Sequence, residues 1–326
     1  MKSLEKFARV LKLVLIYFVV MIVFVSCGDD DKEDNFWNTK GNFTWDNTVD
    51  VYTVGYQVEN GQNNLVLWKN EQQQILENNV ANFNTSGVYS VFVYNNDVYA
   101  VGSFNSVAVL WKNGVRHELS EINNTAAHSV FVYNNDVYVV GSTVCSGPAF
   151  LWKNDEEQIL DAPGTADAYS VFIYNDDVYI GGYVMINSIP CPAYWKNGVL
   201  TVLNNSVTNY VNSIFVANNN IYAAGGHMDR GVIWNNKTEY ISTNSPLESI
   251  FVDKGNIYAC GKLELFKNKT KYKLYESGSS YGIYVSNNNV YVCGRESYRA
   301  VLWKNGPMKY IGNDNSMAFG IFVKSK

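Results

Sequence analysis

The chain predicts an all-β fold, a seven-bladed β-propeller of four-stranded antiparallel blades. Three observations predict it: a Val/Ile-Tyr-x-x-Gly element occurs seven times, an aromatic residue opens a further apolar run after each copy, and the C-terminus is strand-like with nothing after it to pair with.

The unit is clearest at Ser129-Val-Phe-Val-Tyr-Asn-Asn-Asp-Val-Tyr-Val-Val-Gly141. Val130 to Tyr133 and Val137 to Val140 are rich in β-branched and aromatic residues, and Asn134-Asn135 tolerates positive φ. The stretch therefore predicts a tight hairpin of strands A and B, ended by Gly141. After a loop of variable length, Phe150-Leu-Trp152 opens strand C, and Lys153-Asn154-Asp155 turns it into strand D, Gln158 to Leu160. The strand-B element recurs at Val51, Val98, Val137, Val178, Ile221, Ile257 and Val290, at spacings of 33 to 47 residues. The strand-C aromatic follows as Trp68, Trp111, Trp152, Trp195, Trp234, Phe266 and Trp303. An aromatic so regularly placed reads as packing between blades, not as a ligand platform.

Strand A precedes strand B at Ser90, Ser129, Ser170, Ser213, Ser249 and Gly282, but Gly320-Ile-Phe-Val323 has no strand B to follow. The first strand B, in turn, has only the weak candidate Phe43 to Asp46 before it. The C-terminal strand is therefore expected to become strand A of the first blade, so that no sheet edge stays open.

Of the 326 residues 15% are aromatic and 17% charged, the balance of a folded globular chain with a full core. Residues 1–26 carry Lys2, Lys6, Arg9 and Lys12 ahead of Leu13 to Val25, an apolar run too short for a comfortable membrane span. This start resembles a bacterial lipoprotein signal. The resemblance implies cleavage before Cys27, acylation of Cys27 with palmitate, and attachment to the outer membrane through lipid alone. Residues 27–42 form a tether whose Gly28-Asp-Asp-Asp-Lys-Glu-Asp34 resembles the acidic export signal of Bacteroidota lipoproteins and implies exposure on the cell surface. The propeller is expected over 43–326. Without the basic start, which carries +3, the formal charge falls from −5 to −8, and nucleic acid is excluded as a partner.

Cys260 and Cys293 stand where other copies have Val101, Val140 and Ala224 and are expected to be small buried residues. Cys145 and Cys191 fall in B-to-C loops of adjacent blades, where a disulfide is one of two open alternatives. Over Val49 to Val323, the Val-Tyr-x-x-Gly and Leu-Trp-Lys-Asn-Gly elements resemble those of uncharacterised β-propeller repeat lipoproteins of Bacteroidota. The layout is also kelch-like, with the double glycine at Gly181-Gly182 and Gly225-Gly226. Neither resemblance brings a catalytic residue with it.

The A-to-B and C-to-D turns are short and alike, which marks one face of the disc as scaffold. The B-to-C and D-to-A loops vary, from the long Gly182 to Tyr194 to the minimal Gly261 to Leu265, and binding is expected on their face. The residue just before each strand A is expected to ring the mouth of the central channel: Tyr89, His128, Tyr169, Asn212, Glu248, Tyr281 and Phe319. Aromatic faces with a few polar groups suit a sugar ring or another flat ligand, but the same rings also serve to fill the channel. Tyr183, Met185, His227, Arg295 and Tyr298 in the B-to-C loops extend that surface.

Catalytic patterns are sparse. His117, His128 and His227 lie in different blades without metal-ligand spacing, and His227-Met-Asp229-Arg230 is the single local cluster of titratable groups in a mouth-side loop. No cofactor or metal is expected, and the chain is expected to be a monomer. Three readings stay open: a ligand-binding surface lipoprotein taking a glycan or small nutrient, or working with an outer-membrane transporter; a protein-recognition or adhesion module; and a carbohydrate lyase or hydrolase using His227 or His128.

Overall fold

The computed structural model describes residues 36–38, 40–144, 147–204, 209–274 and 277–326. The chain divides into a unit of residues 1–38 and a unit of residues 39–326, and the expected leader and Cys27 lie outside the described residues. The second unit is a seven-bladed β-propeller. Its first blade combines β1 (Val49–Glu59), β2 (Gln62–Lys69) and β3 (Gln72–Glu77) with β28 (Ser316–Ser325). The second holds β4 (Gly87–Tyr94), β5 (Asp97–Phe104), β6 (Val107–Lys112) and β7 (Val115–Glu118), and the third β8 (Thr125–Tyr133), β9 (Asp136–Thr143), β10 (Ala149–Lys153) and β11 (Glu156–Ile159). The fourth is β12 (Ala166–Tyr174), β13 (Asp177–Ile186), β14 (Ile189–Lys196) and β15 (Val199–Val202), and the fifth β16 (Tyr210–Ala217), β17 (Asn220–His227), β18 (Arg230–Asn235) and β19 (Thr238–Thr243). The sixth is β20 (Ser249–Asp253), β21 (Asn256–Gly261), β22 (Glu264–Lys267) and β23 (Thr270–Lys273), and the seventh β24 (Ser279–Ser286), β25 (Asn289–Glu296), β26 (Arg299–Lys304) and β27 (Met308–Asp314).

The core lies between blades. Val140 and Leu151 of the third blade, for example, pack with Ala168, Ile180 and Trp195 of the fourth. Trp68, Trp111, Trp152, Trp195 and Trp303 are fully buried, so each truncation to Ala is expected to cost about 3–5 kcal/mol.

The Trp-Lys-Asn element has a second purpose. Asn70, Asn113, Asn154, Asn197, Asn236, Asn268 and Asn305 all adopt φ between 50° and 57°, a left-handed conformation that asparagine tolerates. Each side-chain oxygen accepts the N–H of the Val or Ile that opens the Val/Ile-Tyr element, as in Val98 N to Asn113 Oδ1 at 2.9 Å and Ile257 N to Asn268 Oδ1 at 2.9 Å. One residue thus forms the C-to-D turn and ties it to strand B. In the first four blades the neighbouring lysine reaches back over the Tyr ring to an aspartate, as Lys153 does to Asp136 at 2.9 Å and to the Tyr138 ring at 5.2 Å.

Ring closure is as expected: β28 pairs with β1 from Val49 opposite Ser325 to Gln57 opposite Ser316. Phe43 to Asp46 forms no strand. It is a strap on the scaffold face across the seam between the seventh and first blades. There Thr44 O accepts from Lys304 Nζ at 3.2 Å, Asp46 Oδ2 accepts from Asn289 Nδ2 at 3.3 Å, and Trp45 Nε1 donates to Glu71, which also pairs with Lys309 at 3.1 Å.

Two sequence boundaries are corrected. Gly141 does not end its strand but lies inside β9, for the reason given below. Gly182 to Tyr194 is not a long loop but a continuation of the β13–β14 ladder to a turn at Asn187-Ser188. Cys260 and Cys293 are buried as expected, and burial pushes the Cys260 thiol up to about 12. Cys191 is a buried free thiol, and Cys145 lies outside the described residues.

Candidate functional site

The mouth residues are placed by β-bulges. In six blades the ladder between the inner strand and its neighbour slips by one residue, and the residue left unpaired is Phe319, Tyr89, His128, Tyr169, Asn212 or Tyr281. In the sixth blade β20 starts immediately after the equivalent residue, Glu248. These residues therefore sit within or at the start of the inner strand, and a bulge both frees the residue from pairing and re-aims its side chain.

The glycine of Val/Ile-Tyr-x-x-Gly explains the bulge. A β-carbon on Gly55, Gly102, Gly141, Gly182, Gly225, Gly261 or Gly294 would lie 1.8–2.2 Å from the carbonyl oxygen two residues before the mouth residue. Only a residue without a side chain lets the two backbones approach that closely.

The bulges assemble an arc of rings. Phe319 lies 5.9 Å from Tyr89, Tyr89 5.8 Å from His128, and His128 5.3 Å from Tyr169. The arc continues through Tyr183 and Tyr210, 4.7 Å apart, to His227, 5.0 Å beyond Tyr210, and at its other end Tyr281 lies 5.2 Å from Phe319. Asn212 and Glu248 make the polar sector, where Asn212 Nδ2 donates to Leu247 O at 3.0 Å and to Glu248 Oε2 at 3.4 Å.

Three residues below the mouth in every inner strand stands a second tier: Phe92, Phe131, Phe172, Phe215, Phe251, Tyr284 and Phe322. Each ring lies 4.4–5.1 Å from the next, and the circle closes from Phe322 back to Phe92. All fourteen residues of the two tiers are half-buried, and twelve of them are aromatic, so rings dominate both tiers. The sequence signal for the lower tier is the third residue of Ser-Val-Phe-Val.

Asp167 is a further site residue that spacing alone does not single out, since it lies two positions before Tyr169 in one blade only. It accepts from Tyr169 at 3.1 Å and faces Tyr183 across the β12–β13 ladder. Burial, and next the Asp167 charge, raise both phenols well above the ordinary tyrosine range, so both stay protonated donors. Burial also holds His128 below its ordinary value, with Asp167 acting in the opposite direction, and raises the Glu248 carboxyl.

Arg295 and Tyr281 line a cleft of about 300 Å³ beside the mouth with Tyr298, and the Arg295 guanidinium lies 4.7 Å from the Tyr298 ring centre. The His227–Arg230 turn is not assembled as an acid–base pair. Arg230 is held by both oxygens of Glu239 at 2.9 and 3.0 Å, and the His227 ring packs on Tyr210.

Comparison with solved structures bears on the fold alone, through a propeller domain matched at a TM-score of 0.50. The fold is a β-propeller. The WD40 β-propeller domain of Doa1 is 18% identical over 68% of this chain and 81% of its own, with a TM-score of 0.50. The β-propeller domain of the Trilobed protease from Pyrococcus furiosus is 11% identical over 85% of this chain and 98% of its own, at 0.49. The Pyrococcus horikoshii acylaminoacyl peptidase is 12% identical over 85% of this chain and 53% of its own, at 0.48. No family model matches the chain, and no curated protein matches it.

Proposed function

We propose that this chain is a lipid-anchored, surface-exposed binding protein of the outer membrane, acylated at Cys27, whose propeller takes a glycan or another flat small ligand at its mouth, in service of an outer-membrane uptake system. The observation that supports the binding reading is the two-tier aromatic channel, with protonated Tyr169 and Tyr183 held on Asp167 at its rim. Half-buried rings in an unbroken arc offer stacking faces to a sugar, and fixed hydroxyls offer directional hydrogen bonds. The lipid anchor and surface address rest on the signal-like start and the acidic run after Cys27.

The test is a thermal-shift screen of the full chain in detergent against oligosaccharides, polysaccharides, haem and cobalamins. A ligand at a hundred times its Kd adds about 2.7 kcal/mol. Loss of that shift in a Tyr89→Ala, Tyr169→Ala, Tyr281→Ala triple variant that melts cooperatively supports the mouth as the site, and a shift that survives places binding elsewhere. Failure of Cys27→Ser to lose incorporation of a clickable palmitate analogue would remove the anchor.

A second reading, recognition of a protein, draws on apolar turn tips on the same face, where Met228 is 76% and Tyr298 68% exposed. A surface pull-down that returns one stoichiometric protein, together with a flat ligand screen, would favour it.

A further inference from the structure

The mouth opens at the seventh blade into the cleft of about 300 Å³ walled by Ser277, Ser279, Tyr281, Arg295, Tyr298 and Met317, and among the described lining residues Arg295 alone is charged. Arg295 faces Ser279 across the β24–β25 ladder and lies over the Tyr298 ring, and it has no carboxylate partner among the described residues. The adjacent Glu296 does not answer this charge. Glu296 is buried behind the cleft wall, where it accepts hydrogen bonds from Ser277, Ser297 and Tyr310, with Arg299 close by. A half-buried guanidinium is thus left over in a chain whose net charge is negative.

We propose that this cleft receives the carboxylate of an acidic sugar, with the sugar ring laid against Tyr281 and Tyr298. The proposal rests on the reading of the mouth as a glycan site and names the class of glycan. A guanidinium presents a planar fork of donors that a carboxylate matches with two parallel hydrogen bonds, and stacking on Tyr298 holds that fork in place. The cleft lies at the small end of ligand-site volumes, which run from about 300 to 1,000 Å³. That size suits a terminal sugar, while Tyr281, shared by the cleft and the aromatic arc, connects the terminal sugar to the rest of a chain lying in the mouth.

The experiment is a glycan array probed with the full chain in detergent. It carries uronate- and sialate-bearing glycans, their carboxyl-reduced counterparts, sulfated glycans without carboxylates, and neutral glycans. Carboxylated members are expected to bind at least about tenfold more tightly than their reduced counterparts. R295Q removes that difference by weakening the carboxylated forms far more than the reduced ones, and R295K restores part of it. Y169A, on the far side of the mouth, weakens carboxylated and reduced members alike. A melting curve for R295Q that coincides with the parent shows that the fold is intact. Equal binding of carboxylated and reduced forms, preference for sulfated glycans, or an R295Q variant that keeps the difference overturns the carboxylate subsite and leaves the mouth reading standing. Binding of no glycan at all overturns both.

Discussion

Gly182 lies so close under the carbonyl of Asp167 that a β-carbon at Gly182 would come within 1.9 Å of that oxygen. The contact sets the bulge that presents Tyr169, and Asp167 itself accepts from Tyr169. Gly182→Ala cannot be absorbed by a flexible side chain, because the obstacle is backbone. It is expected to cost about 3 kcal/mol in denaturant unfolding and to weaken any mouth ligand. A Gly182→Ala protein with the parent's midpoint and affinity would contradict this account of the bulge.

Asn113 combines a left-handed backbone with a side-chain clamp on Val98, and two substitutions separate the contributions. Asn113→Gly keeps the backbone conformation and loses the clamp, for about 1 kcal/mol. Asn113→Ala loses both, for about 2 kcal/mol. Equal midpoints for the two variants would show that the backbone term is absent.

The ring is not uniformly fastened. Ser90, Ser129, Ser170, Ser213 and Ser249 each accept the N–H of a Val or Ile on the next blade's inner strand, at 3.1–3.4 Å. Gly282 and Gly320 occupy that place on either side of the first blade, where a β-carbon would meet Phe319 O at 3.1 Å and Tyr89 O at 2.7 Å. Hydrogen exchange is expected to show β28 and β1 opening before β8 to β13. Trp45→Ala, which removes the strap's contact with Glu71, is expected to speed exchange at this seam more than elsewhere.

Removing Gly320 to Lys326 takes away most of the ladder on β1, including the Val54–Gly320 pair that bounds the bulge at Phe319. Cooperative thermal unfolding followed by circular dichroism is expected to disappear. An unchanged melting curve would mean that the seam does not hold the ring.

Two mouth groups give opposite pH slopes. Burial raises Glu248 above 4.5, so the folded state holds its proton more tightly than the unfolded state, and stability falls as pH rises from about 4.5 through the folded value. Burial lowers His128 below 6.5, so stability falls as pH drops below about 6.5, where the unfolded state takes up a proton that the folded state refuses. Glu248→Gln should be more stable than the parent at neutral pH, with the advantage vanishing below pH 4.5. His128→Gln should flatten the loss on the acid side of 6.5. Parallel Tm–pH curves for parent and variants would refute both assignments.

Blade number, strand order and closure were legible because each blade repeats the same few residues: a Tyr three positions before a Gly and, after a connection of variable length, a Trp (Phe266 in the sixth blade) two positions before an Asn. The mouth ring was legible for the same reason, as one position read seven times. What repetition does not carry was not legible. Asp167 occurs in one blade and acquires its partners only when β12 and β13 pair, and the Arg295 cleft exists only where the seventh blade meets the closing strand. Phe43 to Asp46 reads as only a weak strand candidate, and β28 indeed holds the edge that it would have needed; its use as a strap was not legible, because its partners on the seventh and first blades meet only when the ring closes.

The pairing of β1 with β28 also sets an order in time. Among the described residues β28 follows all the other strands in chain order, so the first blade waits through the synthesis of the six other blades with its inner edge unmatched. The emerging chain is an open row of blades whose two end blades each lack a neighbour on one side, and it becomes a ring in a single late step whose two partners lie at opposite ends of the propeller sequence. Until that step the aromatic channel has no seventh wall, and whatever it binds can be bound only by the finished molecule.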